Sequence, residues 1–590
     1  VAKKSDSEVK VPAPKRPDLD RRWASLLLER SSWMAHWKDI STYMLPRSGR
    51  FFLEDRNRGE KRHNNIYDST GTRALRILGA GLMGGATSPA RPWFRLATPD
   101  PDLNKREEVK VYLNNITRMM HDIFQRSNTY RTLHSMYEEL GAFGTGASIF
   151  MDDYKSVIRH CPLTVGEYCL GQNYNKEVNV LYREFQQSVA GVVGEFGYKN
   201  CSRTVQALYD RGSLETWVTV VHAIEPRGDR DPRMSDNKNM PWSSVYFERG
   251  QSPDQVLRES GFKQFRVLAP RWAVTGGDVY GNGPGMETLG DVKQLQHEQL
   301  RKAKGIDLMT DPPLQVPSSL KNRHLDRMPG GISFTDGAGG QKVETLFDVR
   351  LDLSHLLADI QDVRGRINGS FYTDLFLMLS QNQDNRKTAT EVAELHEEKL
   401  LMLGPTMERL SNELFSPMID LTFSRMLSIR LPNGQGILPP PPPALQGQDL
   451  NIEYISMLAQ AQSAISTNGT DRFVTNLGQV AQFKPGVLDK FNEDKWADSY
   501  SDMLGVDPEL IVGDNQVAII RKKRADQQAQ QQKLAAASSA ADTANKLAKS
   551  PTNGKNALTD MANMAGLSGR PTSAGSQAPP GNPTSNFSGY

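Results

Sequence analysis

Apolar residues recur mostly at three- and four-residue steps from Arg21 onward, at Trp23, Leu26, Leu27, Met34 and Trp37. That spacing predicts an amphipathic helix closed by Pro46. Asp20 is placed to cap it, because its carboxylate can accept the unpaired amides of the first turn. The same periodicity predicts helices over Ser69–Met83, Asn104–Arg126 and Ser135–Phe143, so the first 150 residues read as mainly helical. Alternation then replaces it. Ala147–Met151, Ser156–Arg159, Glu177–Phe185, Glu215–Ile224, Ser244–Glu248 and Phe262–Leu268 have strand character, with a short helix over Arg203–Leu208 between them. Short turn-rich links predict a twisted antiparallel sheet or small barrel.

A Gly-rich turn from Gly276 leads into a predicted helix over Met286–Leu308, about 33 Å long at 1.5 Å per residue. Its faces are mostly polar, leaving a thin apolar seam, and a second such rod is predicted over Leu353–Tyr372. Between them lies a compact excursion full of Gly and Pro. Polar rods make poor core elements for a lone chain and are better satisfied when copies pack side by side around an axis. A polar loop at Gln381–Thr388 precedes a long helix over Ala389–Leu427, in which Pro405 and Pro417 should introduce kinks. A stiff run of prolines, Pro439–Pro443, follows. Leu450–Ser466, Asp471–Ala481 and Asp489–Leu504 read as three short helices of a bundle. A basic Gln/Ala-rich helix spans Glu509 to about Ala537, and the last fifty residues have the composition of disorder.

Composition narrows the class. The 71 Lys and Arg nearly balance 68 Asp and Glu, giving +3, which excludes a polybasic nucleic-acid coat. Three cysteines in 590 residues exclude a disulfide scaffold and fit a reducing compartment. No run approaches the ~20 apolar residues of a membrane span, and the N-terminal residues lack the apolar core of a signal peptide. Assembly in a host cytoplasm, without membrane, is the expectation.

The motifs that suggest chemistry are weak. Gly79-Ala-Gly81-Leu-Met-Gly84 is a literal GxGxxG, but a helix-like run precedes it and Pro89 and Pro92 follow closely. A dinucleotide site needs a strand before it and a full helix after it. The better reading is a small-residue helix face for close packing. There is no phosphate-binding GxxxxGK[ST], HExxH or GxSxG. The acidic pairs Glu138-Glu139 and Asp152-Asp153 read as solvated faces rather than metal ligands. No cofactor, metal or catalytic residue is expected, so the chain reads as a non-enzyme.

One block is more specific. Asp68-Ser69-Thr-Gly71-Thr-Arg-Ala-Leu, Gly79-Ala-Gly81-Leu82-Met83-Gly-Gly, and Thr87-Ser-Pro89-Ala-Arg91-Pro92-Trp93-Phe94-Arg-Leu96 closely resemble the head-to-tail connecting (portal) proteins of short-tailed, podovirus-type bacteriophages. The resemblance implies an α+β, mainly helical fold. Its parts would be a flexible arm (1–20), a helical wing (21–150) and a β-rich wing (151–275). A first stem helix (276–308), a clip (309–350), a second stem helix (351–373), a tunnel loop (374–390) and a long kinked helix (391–431) would follow. A helical crown (432–537) and a disordered tail (538–590) would complete the chain. It further implies a virion component: a homo-oligomeric ring of usually twelve copies at one capsid vertex, passing double-stranded viral DNA without sequence preference. Terminase large subunit, tail adaptor, capsid and scaffold proteins would be its partners. By position within matched elements, Lys293, Arg301, Lys302, Arg386 and Lys387 would face the channel. The alternatives are another structural virion or scaffold protein, and a dinucleotide-binding enzyme.

Overall fold

The computed structural model describes residues 16–51, 61–311, 314–315, 344–345, 353–380, 402–430, 436–455, 473–504 and 512–548, less short interruptions, and structural statements concern these residues. The chain divides into two compact units, 1–511 and 512–590.

Helix α1 (Arg16–Tyr43) begins earlier than Asp20. Arg16 is buried, donating to the carbonyls of Glu248 and Gln255 and to the Asp20 carboxylate. Contacts more than 230 residues away thus hold the first described turn of the helix, and Asp20 is an interior ion-pair partner rather than a cap. Helix α2 (Thr70–Ala86) turns Ala74, Leu75, Leu78 and Leu82 into the core. Strand β1 (Phe94–Ala97) and the short α3 (Pro101–Asn104) lead to α4 (Glu107–Arg126) and α5 (Thr129–Phe143). One continuous core joins these helices to the sheet β3-β2-β9, built from β2 (Ala147–Asp153), β3 (Val157–Leu163) and β9 (Val267–Leu268).

A second, five-stranded antiparallel sheet follows. Its order is β4 (Tyr168–Gln172), β5 (Val178–Ser188), β6 (Trp217–Pro226), β7 (Trp242–Glu248) and β8 (Arg258–Phe262). Helices α6 (Val189–Phe196) and α7 (Arg203–Asp210) lie between β5 and β6 in sequence. The single strand expected over Phe262–Leu268 is divided: Phe262 ends β8, whereas Val267 and Leu268 pair with Ile149 and Ser148 of the other sheet. Both segments alternate, and only tertiary pairing distinguishes them.

After α8 (Pro284–Glu287), the two rods appear as α9 (Leu289–Thr310) and α10 (Leu353–Ser370), packed on each other and followed by α11 (Thr373–Ser380). The expectation that such rods lack a seat within one chain holds only for part of their length. Val292 and Leu295 of α9, with Ile360, Val363 and Ile367 of α10, are fully buried in the chain's own core. The thin seam suffices at the root. Beyond Gly305 every residue to the end of α9 is exposed, including Leu308 at 40% and Met309 at 46%. Strands β10 (Leu314–Gln315) and β11 (Glu344–Thr345) pair antiparallel beyond them.

The long helix is described as α12 (402–410), a π-helical turn (Ser411–Phe415) and α13 (Ser416–Ser428). The kink expected at Pro417 takes this form because proline has no amide for the carbonyl four residues back. The Tyr454 hydroxyl donates to the Ser411 carbonyl at 3.4 Å.

The helix expected over Leu450–Ser466 is corrected at its start. Asn451–Tyr454 is β12, antiparallel to β1 with Phe94 opposite Tyr454 and an Arg95–Glu453 cross-strand pair at 2.6 Å. Its local periodicity was outweighed by a partner strand some 350 residues away. Residues 473–481 (α14) and Glu493–Leu504 (α15) are helical. In the second unit, α16 (Asp514–Ala548) is one continuous helix.

Candidate functional site

The Asp68 block sits where α2 meets both rods. Asp68 precedes α2, and its carboxylate accepts the Thr70 amide at 2.8 Å and the Thr70 hydroxyl at 2.5 Å. The same carboxylate accepts Gln299 Nε2 from α9 at 3.1 Å and Arg364 Nη2 and Nε from α10 at 2.7 and 3.1 Å. Gln296 completes the joint: its Oε1 accepts the amides of Tyr67 and Asp68 while its Nε2 donates to the Asp68 carbonyl. One aspartate thus fastens three helices. Burial raises its pKa, but the hydrogen bonds from Thr70 and Arg364 outweigh that and hold it below the usual carboxylate range.

The glycines of the block are packing positions. Gly81 lies inside α2, and a Cβ built there would stand 2.2 Å from the Phe376 ring of α11. Helix–helix contact at that distance tolerates only glycine. The GxGxxG lies inside α2, and no strand precedes it among the described residues, so it is not the phosphate loop of a dinucleotide enzyme. Ser69 is the residue before α2, and Gly71 packs on Val292 of α9. Leu82 is fully buried, and Met83 is half-buried with its sulfur 3.6 Å from the Thr87 hydroxyl.

Downstream, the Pro89 carbonyl accepts from Gln125. Arg91 and Pro92 are exposed in the turn that delivers the next two residues to the core. Trp93 and Phe94 are buried, and Trp93 packs against Phe94, Phe124 and Phe415, the last reaching in from the π turn. The block is thus the seam between wing, rods and long helix.

Two further ion clusters were not legible as such in the sequence. Buried Arg271, in the loop before α8, grips Glu413 of the π turn through Nη2 at 2.6 Å and through its backbone amide at 2.9 Å. Asp152 pairs with Arg266 and with Arg425 of α13. The acidic pairs are therefore not plain solvated faces. Glu139 is buried, accepting the Thr164 hydroxyl at 2.7 Å, and its carboxyl is pushed up to about 7 by burial.

The channel cations separate. Lys293 forms an ion pair with Asp39 of α1 at 2.6 Å and sits 5.6 Å from the Tyr43 ring. Arg301 is exposed and Lys302 half-exposed, and neither has a carboxylate partner among the described residues. Arg386 and Lys387, and most of the clip range 309–350, lie outside the described residues. Sequence periodicity gave the rods, but not the joint residues Gln296, Gln299 and Arg364. The one available signal was the three-residue spacing of two amides on α9. Among the described residues no helix is long and apolar enough to cross a membrane.

The chain is 61% identical over 543 residues, 92% of its length and 96% of the relative's, to the "Probable portal protein" of Bordetella phage BPP-1. It is 46% identical over 549 residues, 92% of its length and 98% of the relative's, to the "Portal protein" of Salmonella phage epsilon15. Among solved structures, a chain of the virion of the native gene transfer agent particle matches with TM-score 0.33 and 10% identity, covering 79% of this chain and 98% of that one. The family model for the bacteriophage head to tail connecting protein matches residues 16–512, so the motif block and rods described above belong to a member of that family.

Proposed function

We propose that copies of this chain close into a ring, twelve in number, at one capsid vertex. Double-stranded viral DNA passes through its axis during packaging and ejection. Terminase large subunit docks on the ring first and tail adaptor proteins later, with capsid and scaffold proteins around it. The observation that carries this reading is the form of the rods. Their roots are fixed to α2 through Asp68, while the outer turns of α9 expose Ile306, Leu308 and Met309, which no described residue of the chain covers.

A conduit also needs weak contact with its cargo. Each phosphate neutralised adds affinity that moving DNA must break again, so a chain of net +3 with scattered cations suits passage better than a basic tube. Arg301, Lys302, Arg386 and Lys387 are assigned to the axis, and Lys293 to a lesser degree because Asp39 already neutralises it. The protein carries out no reaction in this reading.

Electron microscopy of the purified chain tests the assembly directly: rings with an axial hole are expected, and monodisperse monomers at micromolar concentration would overturn it. The channel assignment is tested separately. Arg386→Ala with Lys387→Ala should keep rings but impair DNA packaging or retention, whereas loss of rings would place the pair in assembly.

A further inference from the structure

A surface-open cavity of about 530 Å³ is lined by α1, the Arg50–Phe51 turn, Gly166–Glu167, strands β5 and β6, and Arg249. That volume falls in the range of small-ligand and peptide side-chain sites. Leu27, Met34, Phe51, Phe185 and Trp217 supply its apolar walls. Its charged groups are Arg30, Arg50, Arg249, Glu167 and Glu184.

The charges do not cancel. Glu184 is paired with Arg249 at 2.6 Å, and Glu167 with Arg50 at 3.5 Å. Arg30 is left over. It is 7% exposed, and no carboxylate pairs with it among the described residues. Its Nη1 donates to the carbonyls of Gly166 and Tyr168 at 2.9 Å each, while among the described residues its buried Nε has no partner and its Nη2 makes no hydrogen bond. Buried guanidinium groups are ordinarily matched by an anion, because desolvating a lone charge is costly. Among the described residues Arg30 has only two carbonyl dipoles in that role.

The floor beneath it is preformed. The Arg50 amide donates to the Val165 carbonyl at 2.8 Å and the Gly49 amide to the Thr164 hydroxyl at 2.7 Å. Gly166 is in the left-handed region at φ +89°, where a Cβ would meet the Arg50 carbonyl at 1.8 Å. A cavity whose floor is already hydrogen-bonded binds with less ordering of its own.

We infer that this cavity is a docking site for a peptide segment of another protein, which places a carboxylate on Arg30 and an adjacent aromatic or aliphatic side chain among Leu27, Met34 and Trp217. A guanidinium fork is suited to a carboxylate. Charge complementarity selects this occupant over a nucleic acid: the cavity carries one net positive charge and two carboxylates of its own, and its walls are apolar. A phosphate dianion would face Glu184 and Glu167. Trp217, at 48% exposure, forms a rim on which the incoming side chain can rest. Such a site would let the wing hold a neighbour in the particle independently of the stem.

The test uses the full chain and a fluorescein-labelled peptide amide containing Phe-Asp-Phe, read by polarisation, with a Phe-Asn-Phe peptide as neutral control. Saturable binding is expected, at least tenfold weaker for the Asn peptide. Both Arg30→Gln and Trp217→Ala should weaken it at least fivefold while far-UV circular dichroism stays unchanged. Should Arg30→Gln fail to fold, Trp217→Ala and the Asn control decide alone, because Trp217 stands on the rim. Equal binding of the Asp and Asn peptides, or binding indifferent to Trp217→Ala, would overturn the inference. Displacement by millimolar phosphate or AMP would overturn it as well, by assigning the cavity to free anions.

Discussion

Replacing Asp68 by Ala removes the acceptor of five hydrogen bonds, two from Thr70, one from Gln299 and two from Arg364. The Asp68 side chain is 6% exposed and that of Arg364 36%. Breaking a fully buried charge pair costs about 3–5 kcal/mol, and partial solvation of Arg364 reduces its share to about 2 kcal/mol. Loss of the turn held through Thr70 adds about 1 kcal/mol. Local opening of the joint should therefore become easier by about 3 kcal/mol, or roughly two orders of magnitude in rate. Hydrogen exchange read by mass spectrometry on peptides spanning residues 67–75 and 289–300 measures this opening. Distant segments such as β6–β7 should keep wild-type rates. The pair is separated from general destabilisation by a cycle: Asp68→Asn with Arg364→Met should cost about 1–2 kcal/mol less than the two changes summed. An exchange increase under fivefold, or strict additivity in the cycle, refutes the claim that this carboxylate fastens the rods to the wing.

The remaining expectations concern pH and packing. The Asp68 pKa is lowered in the folded chain, so its contribution is present above the ordinary aspartate range and lost as pH falls through the lower folded value; exchange at the joint should accelerate below about pH 4. Glu139 behaves oppositely. Its carboxyl is raised from 4.5 to about 7, so the folded chain retains a proton that the unfolded chain releases, and stability declines as pH rises across that window, by on the order of 3 kcal/mol. Thermal midpoints of Glu139→Gln should be flatter between pH 5 and 7, and an unchanged slope would contradict the assignment. Gly81→Ala places a methyl 2.2 Å from the Phe376 ring and should cost about 1–3 kcal/mol, partly recovered with Phe376→Leu; melting temperatures of the three proteins check this. Trp93→Ala should cost about 3–5 kcal/mol and loosen both Phe124 and Phe415, measurable as faster exchange in α4 and the π turn together.

What the amino-acid order determined by itself is local or repetitive. The three- and four-residue spacing of Leu75, Leu78 and Leu82 reports which face of α2 meets apolar surroundings, and the β-branched run Val218–Val221 marks a strand buried on both faces from Val220 on; neither needs a distant partner to be recognised. The bar of small residues at Gly79 and Gly81 was readable as a packing face because Pro89 and Pro92 left no room for the helix a nucleotide would require. Tertiary structure decided everything that depends on two segments far apart in sequence. Asn451–Tyr454 became a strand because Phe94–Ala97 offered it free backbone groups. The turn of α1 ahead of Asp20 is held by the carbonyls of Glu248 and Gln255, which accept the Arg16 guanidinium. Gln296, Gln299 and Arg364 converge on Asp68 only after α9 and α10 pack, since helical periodicity says which side of a rod is polar but not what that side will touch. The unmatched charge of Arg30 is of the same kind: an arginine in a helix looks solvated until folding places the rest of the wing over it.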